Sequence, residues 1–278
     1  MTTDMAWGIF QAFAAIFGLL FGSFMNVCIA RMPEDRSVVH PGSACPSCGT
    51  PIKPYDNVPV LAWFWLRGKC RSCKAAISPL YPLVEAASGV LAVLIFRKVV
   101  SDIGYLDAPH LVAFVWYGWL AFAILAMGFI DLRHKIIPDE FSIYLVPIGV
   151  GGAALLGQLG YMGAPSWQES VVGALVGGGV ISLIMGAYWL VRREEGMGMG
   201  DAKLLAAFGA WFGAFPGVLG VIMIGSIVGS IVGVAMAIGS KSGLRLAIPF
   251  GPFLGFAALI WMFFGKALGV TWAGGMGF

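Results

Sequence analysis

The sequence predicts an all-α polytopic membrane protein of about eight transmembrane helices, with a small cytoplasmic domain inserted between the first two. Three observations lead there. Of 278 residues, 59% are hydrophobic and only 11% are charged, with a mean hydropathy of +0.88; this balance excludes an ordinary soluble domain. Apolar runs of about 20 residues, the length that crosses a bilayer, recur along the chain. One long interruption, residues 31-80, is polar and basic and holds four of the five cysteines.

The candidate spans lie at about 7-30, 81-97, 111-130, 140-159, 170-191, 202-215, 217-239 and 247-265, the sixth being the shortest. The first has no basic segment ahead of it and no small-residue cleavage site after it, and it carries the polar Gly22, Ser23 and Asn26. It is therefore expected to be a retained span, not a signal peptide. Glycines repeat at close spacing in two later spans (Gly173, Gly177, Gly178, Gly179; Gly225, Gly229, Gly233), which suits helices that pack tightly in lipid. No repeat or low-complexity segment stands out.

Charge sets the expected orientation, because cytoplasmic loops hold an excess of lysine and arginine. With eight spans, segments 31-80, 131-139, 192-203 and 240-246 share one side and hold fourteen of the 17 basic residues; Arg97, Lys98 and Lys266 fall on the other. Both termini are then outside and the 31-80 loop is cytoplasmic. The net charge of +3 adds little, and no basic, aromatic-laced stretch argues for nucleic acid. The sequence carries no signal for an oligomeric state.

The four loop cysteines form two hooks, Cys45-Pro46-Ser47-Cys48 and Cys70-Arg71-Ser72-Cys73. Two such hooks can present four thiolates tetrahedrally, and zinc is the metal expected for an all-sulfur, zinc-ribbon-like site. Four sulfurs leave no open coordination position, so the expected role is to fold a loop too small to build much core. Disulfides are the competing reading, disfavoured in a reducing cytoplasm. Cys28, inside the first span, reads as a packed apolar thiol.

Two aspartates, Asp131 and Asp201, end apolar segments on the same predicted side of the membrane. Carboxylates near hydrocarbon cost several kcal/mol and are functional candidates by default. Two brought together can share a proton, leaving one base to activate water and one acid to polarise a carbonyl. The plain alternative is a pair of interfacial carboxylates marking helix ends. Asp201 follows Gly196, Gly198 and Gly200, so the backbone before it is free to take unusual conformations or approach a substrate chain closely. Asp139 follows Pro138 at the start of the next helix, where a capping role suffices. His134 reads as an interfacial polar group, since none of the three histidines has ligand spacing.

Taken together, several motifs resemble a known family. Gly198-Met199-Gly200-Asp201 followed by Ala202-Lys203-Leu204-Leu205 resembles the signature of the Gly-x-Gly-Asp membrane aspartyl proteases, and within them the bacterial type IV prepilin peptidases and N-methyltransferases. Gly22-Ser23-Phe24-Met25-Asn26-Val27 with Arg31 and Pro33, both cysteine hooks, Leu66-Arg67-Gly68-Lys69-Cys70, Tyr81-Pro82-Leu83-Val84-Glu85, and Asp131 with Pro138-Asp139 follow in the family's order.

The resemblance implies a bifunctional enzyme of the bacterial inner membrane. It would cleave the basic leader of type IV prepilins and of type II secretion pseudopilins after a glycine, at the cytoplasmic face. It would then methylate the new amine with S-adenosylmethionine as donor. Asp131 and Asp201 would be the catalytic pair, Gly198 and Gly200 their supporting loop, and Cys45, Cys48, Cys70 and Cys73 the zinc ligands of a domain associated with methyl transfer. The division would be 1-30 first helix, 31-80 zinc domain and 81-278 peptidase domain. Candidates for the donor or amine site are Gly68, Arg31, Asp56 and Glu85, each with a structural reading beside it. Glu85, just inside a span, needs a partner such as Arg31 or Arg71, and a buried ion pair explains it as well as amine binding does. No Rossmann-type glycine fingerprint marks a donor site in the loop. Two other readings stand: a transport or partner-recruiting protein whose aspartates handle ions or protons, and a peptidase without methyl transfer. A proton relay has no need of Gly198 and Gly200.

Overall fold

The computed structural model describes residues 3–193, 198–239 and 249–265. Nine α-helices follow one another among them: α1 (Thr3–Arg31), α2 (Leu61–Trp65), α3 (Leu80–Val99), α4 (Ala108–His134), α5 (Leu145–Gln158), α6 (Trp167–Arg192), α7 (Met199–Phe212), α8 (Leu219–Gly239) and α9 (Gly251–Phe264). No strand forms among the described residues beyond two isolated bridges, Ala44 to Pro51 and Lys69 to Ala76. Each of the eight apolar segments falls on a helix, and α2 is the extra one. Gly196 of the glycine run, and Lys241, Arg245 and Lys266 of the charge distribution, lie outside the described residues.

Among the described residues six stretches are long and apolar enough to cross a membrane, so this is a multi-pass membrane protein. The last, Met199–Ile238, runs 40 residues, about 60 Å if helical throughout, against a hydrocarbon core of about 30 Å. It breaks at Gly213–Val218, where Phe215 is extended (φ −128, ψ 133) and Pro216 interrupts the helix. The sixth and seventh segments are thus separate helices, α7 and α8. Large apolar side chains face outward along the helices, among them Phe13, Leu20, Leu175, Leu183 and Ile231, as lipid requires.

The chain divides into two compact units, Met1–Ala126 and Met127–Phe278, with α4 running through the division. In the first, α1 and α3 pack through small residues: a Cβ on Gly18 would lie 2.5 Å from the Ser88 carbonyl oxygen, and one on Gly22 2.8 Å from Glu85 Cα. Asn26 Nδ2 donates to the Tyr81 carbonyl at 3.0 Å across the same crossing. Phe21 stacks on Phe122 of α4, ring centroids 4.7 Å apart.

The second unit is centred on α7, whose residues from Ala207 to Phe212 are all buried. α6 starts on a capping box, Ser166 and Glu169 exchanging hydrogen bonds, and crosses α7 so closely that a Cβ on Gly173 would fall on the Gly209 carbonyl and one on Gly177 on the Leu205 carbonyl. Ser170 Oγ donates to the Ala210 carbonyl at 2.5 Å, and Trp211 Nε1 donates to the Leu145 carbonyl of α5 at 3.3 Å. Gly209→Ala is expected to force α6 from α7, destabilising by about 1–3 kcal/mol or more. Thermal unfolding in detergent reads this, with Gly179→Ala as an unchanged control because among the described residues a Cβ there meets nothing within 4 Å.

Candidate functional site

Asp131 lies on the last turn of α4, which closes at Lys135 in the left-handed region (φ 56), its N–H donating to the Asp131 carbonyl at 2.9 Å. Asp201 lies in the first turn of α7, after Gly198 at the N-cap position. Both carboxylates are buried, 4% and 8% exposed, and they sit within electrostatic reach of each other. Ile137 packs beside the pair: a Cβ on Gly200 would lie 3.1 Å from Ile137 Cβ. Asp139 is exposed and pairs with Lys203 Nζ at 2.6 Å. That ion pair, and not the expected cap, ties the chain after α4 to the start of α7.

Gly198 and Gly200 do not use the freedom expected of them. Gly198 is extended (φ −73, ψ 141), and Gly200 is absent from the positive-φ glycines, so other residues can adopt both conformations. What glycine gives here is space. Among the described residues a Cβ on Gly198 would meet only the Gly200 nitrogen, at 4.0 Å, and Gly198 is exposed at the head of α7.

The cysteine loop folds into two matching knuckles. Cys45 N–H donates to the Thr50 carbonyl (3.0 Å) and Gly49 N–H to the Cys45 carbonyl (2.9 Å); in the second, Cys70 N–H donates to Ala75 (2.8 Å) and Lys74 N–H to Cys70 (3.1 Å). The residue after each second cysteine, Gly49 (φ 69) or Lys74 (φ 60), is left-handed and turns the chain back. The four sulfurs lie within 4.8 Å of one another, and none is in a disulfide. Cys45 Sγ and Cys73 Sγ are 3.8 Å apart, the edge of a tetrahedron with metal–sulfur bonds of about 2.3 Å. The side-chain and backbone hydrogen bonds of Thr50 pull the Cys48 thiol down to about 6, readying a thiolate at neutral pH. The four cysteines are thus placed to hold a metal ion.

Two family profiles cover these regions. That of the Bacterial Peptidase A24 N-terminal domain matches residues 16–99, which include the four cysteines, and that of the Type IV leader peptidase family matches 118–234, which include both aspartates. The chain belongs to the type IV leader peptidase family. Its relatives include the prepilin leader peptidase/N-methyltransferase of Aeromonas hydrophila, 34% identical over 88% of this chain and 89% of the relative. Those of the same name from Burkholderia pseudomallei (strain 1026b), 34% identical over 93% and 86%, and Dichelobacter nodosus, 34% identical over 94% and 93%, are similar throughout. No solved structure matches the chain.

In this leader peptidase family member the other four candidate residues are engaged within the fold. Arg31 donates to the Ser37 carbonyl at 3.0 Å and the Gly42 carbonyl at 3.3 Å, closing the loop's entry. Asp56 takes a bidentate pair from Arg71 at 2.6 and 2.8 Å, and the guanidinium holds its carboxyl below the usual range. Gly68 is left-handed (φ 66), and a Cβ there would lie 2.9 Å from the Trp63 ring. Glu85 corrects the expectation of an ion pair: it accepts from the Val60 N–H at 2.7 Å and from the Ser23 hydroxyl, while Arg31 and Arg71 are spent elsewhere. Neutral donors satisfy a buried carboxylate with less desolvation than a second charge.

Gly251 was missed in the sequence. Its N–H, at the head of α9, is directed at the Asp131 carboxylate, and a Cβ there would lie 2.5 Å from Asp131 Oδ2 and 2.9 Å from Ile137 Cδ1. Gly251 also lies beyond the 118–234 match. The available signal was a glycine between Phe250 and Pro252 at the start of an apolar helix. Gly251→Ala is expected to displace the Asp131 carboxylate and lower turnover about 10²-fold without unfolding, read as the rate of peptide cleavage beside thermal stability.

Proposed function

We propose that this enzyme removes the leader of type IV prepilins and pseudopilins after a glycine and N-methylates the new terminus. The observation that carries the reading is the buried pair Asp131 and Asp201 at the adjoining ends of α4 and α7. The pair shares one proton. The ionised carboxylate takes a proton from water as it attacks the scissile carbonyl carbon, and the protonated one hydrogen-bonds the carbonyl oxygen. Collapse of the tetrahedral adduct breaks the C–N bond, and a proton passes to the leaving amine. The exposed surface at Gly198 admits an unwound substrate backbone. The concentration of basic residues in 31-80, 131-139 and 192-203 supports a cytoplasmic face for the site and the loop in a bacterial inner membrane.

Zinc fits the cysteine site: Cys45, Cys48, Cys70 and Cys73 would hold it, supplying a structural cross-link and no open position for chemistry. S-adenosylmethionine is the donor that the relatives' methyltransferase name implies. Arg31, Asp56, Gly68 and Glu85 remain the candidates for its pocket, each also bonded or packed within the fold. The test is product mass. Purified enzyme and a prepilin in lipid should yield the protein cut after its leader glycine, with one further methyl only when S-adenosylmethionine is present; an uncut substrate refutes the peptidase, and a cut but never methylated one leaves a peptidase alone.

A further inference from the structure

Helix α2 turns the usual amphipathic arrangement inside out. Its inner side holds Ala62, which is buried, and Trp63, whose Nε1 donates to the Ile77 carbonyl at 3.1 Å. Its outer side presents Leu61, Phe64 and Trp65, exposed by 66%, 65% and 82%. Exposed Arg67 and Lys69 follow at once. Three adjoining apolar side chains turned outward, two of them aromatic, would be a liability in water.

The tether of α2 fixes its depth. Val60, the residue before α2, donates its N–H to Glu85 at 2.7 Å, and the same carboxylate accepts from Ser23. Glu85 lies five residues into α3, roughly 7.5 Å along the helix, and Ser23 eight residues before the end of α1, roughly 12 Å. The start of α2 is therefore held level with the outer turns of two membrane spans. Val60 itself has a positive φ of 62, unusual for a β-branched residue, within a tight turn in which the Leu61 N–H donates to the Pro59 carbonyl at 2.6 Å. The occupant that meets an apolar face at that depth is the bilayer.

The geometry points to α2 as an interfacial anchor: Leu61, Phe64 and Trp65 enter the boundary between phospholipid headgroups and acyl chains, Arg67 and Lys69 meet headgroup phosphates, and Glu85 holds the helix at that level. Trp is favoured at this boundary, and basic residues beside it favour anionic lipid. The cysteine loop is then a membrane-bound platform, not a domain projecting into water.

Photo-labelling tests this on the full-length enzyme in vesicles of phosphatidylglycerol and phosphatidylethanolamine containing a phospholipid with a diazirine near the glycerol end of its acyl chain. Peptide mass mapping should find adducts on Leu61–Trp65 at a level similar to the lipid-facing side of α1. Glu85→Ala should reduce them several-fold with metal content unchanged, and Glu85→Gln, whose amide oxygen still accepts from Val60, should retain them. An unlabelled α2 beside a labelled α1 overturns the proposal, as does labelling indifferent to Glu85→Ala. Displacement of the adducts by a prepilin that itself cross-links to Trp65 would make this a substrate surface instead, and also overturns it.

Discussion

Asp131→Asn and Asp201→Asn are each expected to slow prepilin cleavage by about 10²–10⁴-fold, the range a positioned proton-transfer group contributes. Asparagine keeps the size of the side chain but neither takes a proton from water nor donates one to a carbonyl. The two act as a unit, so the double variant should be little worse than either single one. Asp139→Asn is the control: its partner Lys203 is on the surface, the side chain of Asp139 being 51% exposed, and such pairs contribute about 0–1 kcal/mol. Single-turnover cleavage of one prepilin by all four variants decides the matter. A large loss at Asp139 with activity kept at Asp131 would move the reacting pair, and equal activity throughout would remove aspartyl chemistry altogether.

Cys45→Ser or Cys73→Ser is expected to abolish metal binding and unfold the loop. The reason is the scarcity of core: among residues 32–79 only Cys45, Ala62 and Gly68 are buried. So little buried core offsets only a small part of the conformational entropy of ordering the loop. In small zinc domains the metal contributes apparent energies of about 10–16 kcal/mol, so its loss should be close to all-or-none. Elemental analysis should show bound zinc in the wild type and background levels in either variant. Limited proteolysis should then cut at Lys53, Arg67 or Lys69, which are exposed already but held in an ordered chain. Methyl transfer should fall to background, whereas cleavage should keep a measurable rate, because Asp131 and Asp201 belong to the Met127–Phe278 unit. Full folding and full methyl transfer in a metal-free variant would overturn the structural role.

Much of this protein is legible in one dimension because lipid is a demanding solvent. Hydrocarbon accepts only backbones that satisfy themselves, so apolar length alone locates the helices, and even the short 202-215 segment is a helix, α7. Two Cys-x-x-Cys hooks likewise announce a four-sulfur cluster, since local turns set the spacing within each hook. Asp131 and Asp201 stand out singly for a related reason, as charges beside hydrocarbon.

What lies far apart in sequence was decided only by packing. Asp131 and Asp201 stand 70 positions apart, and their approach is a tertiary contact that no local pattern encodes. Gly251 enters the site from 120 positions beyond Asp131, where a single backbone N–H and the absence of a side chain leave almost no trace in composition. The partner of Glu85 was hidden for the same reason. Charge patterning brings arginines to mind, but the carboxylate is satisfied by the main chain of Val60, and a backbone donor is present at nearly every residue. Periodicity and composition therefore determine which segments enter the membrane and which residues are chemically conspicuous; tertiary structure determines which of them meet, because that rests on steric fit and on main-chain hydrogen bonds, to which residue type is almost silent.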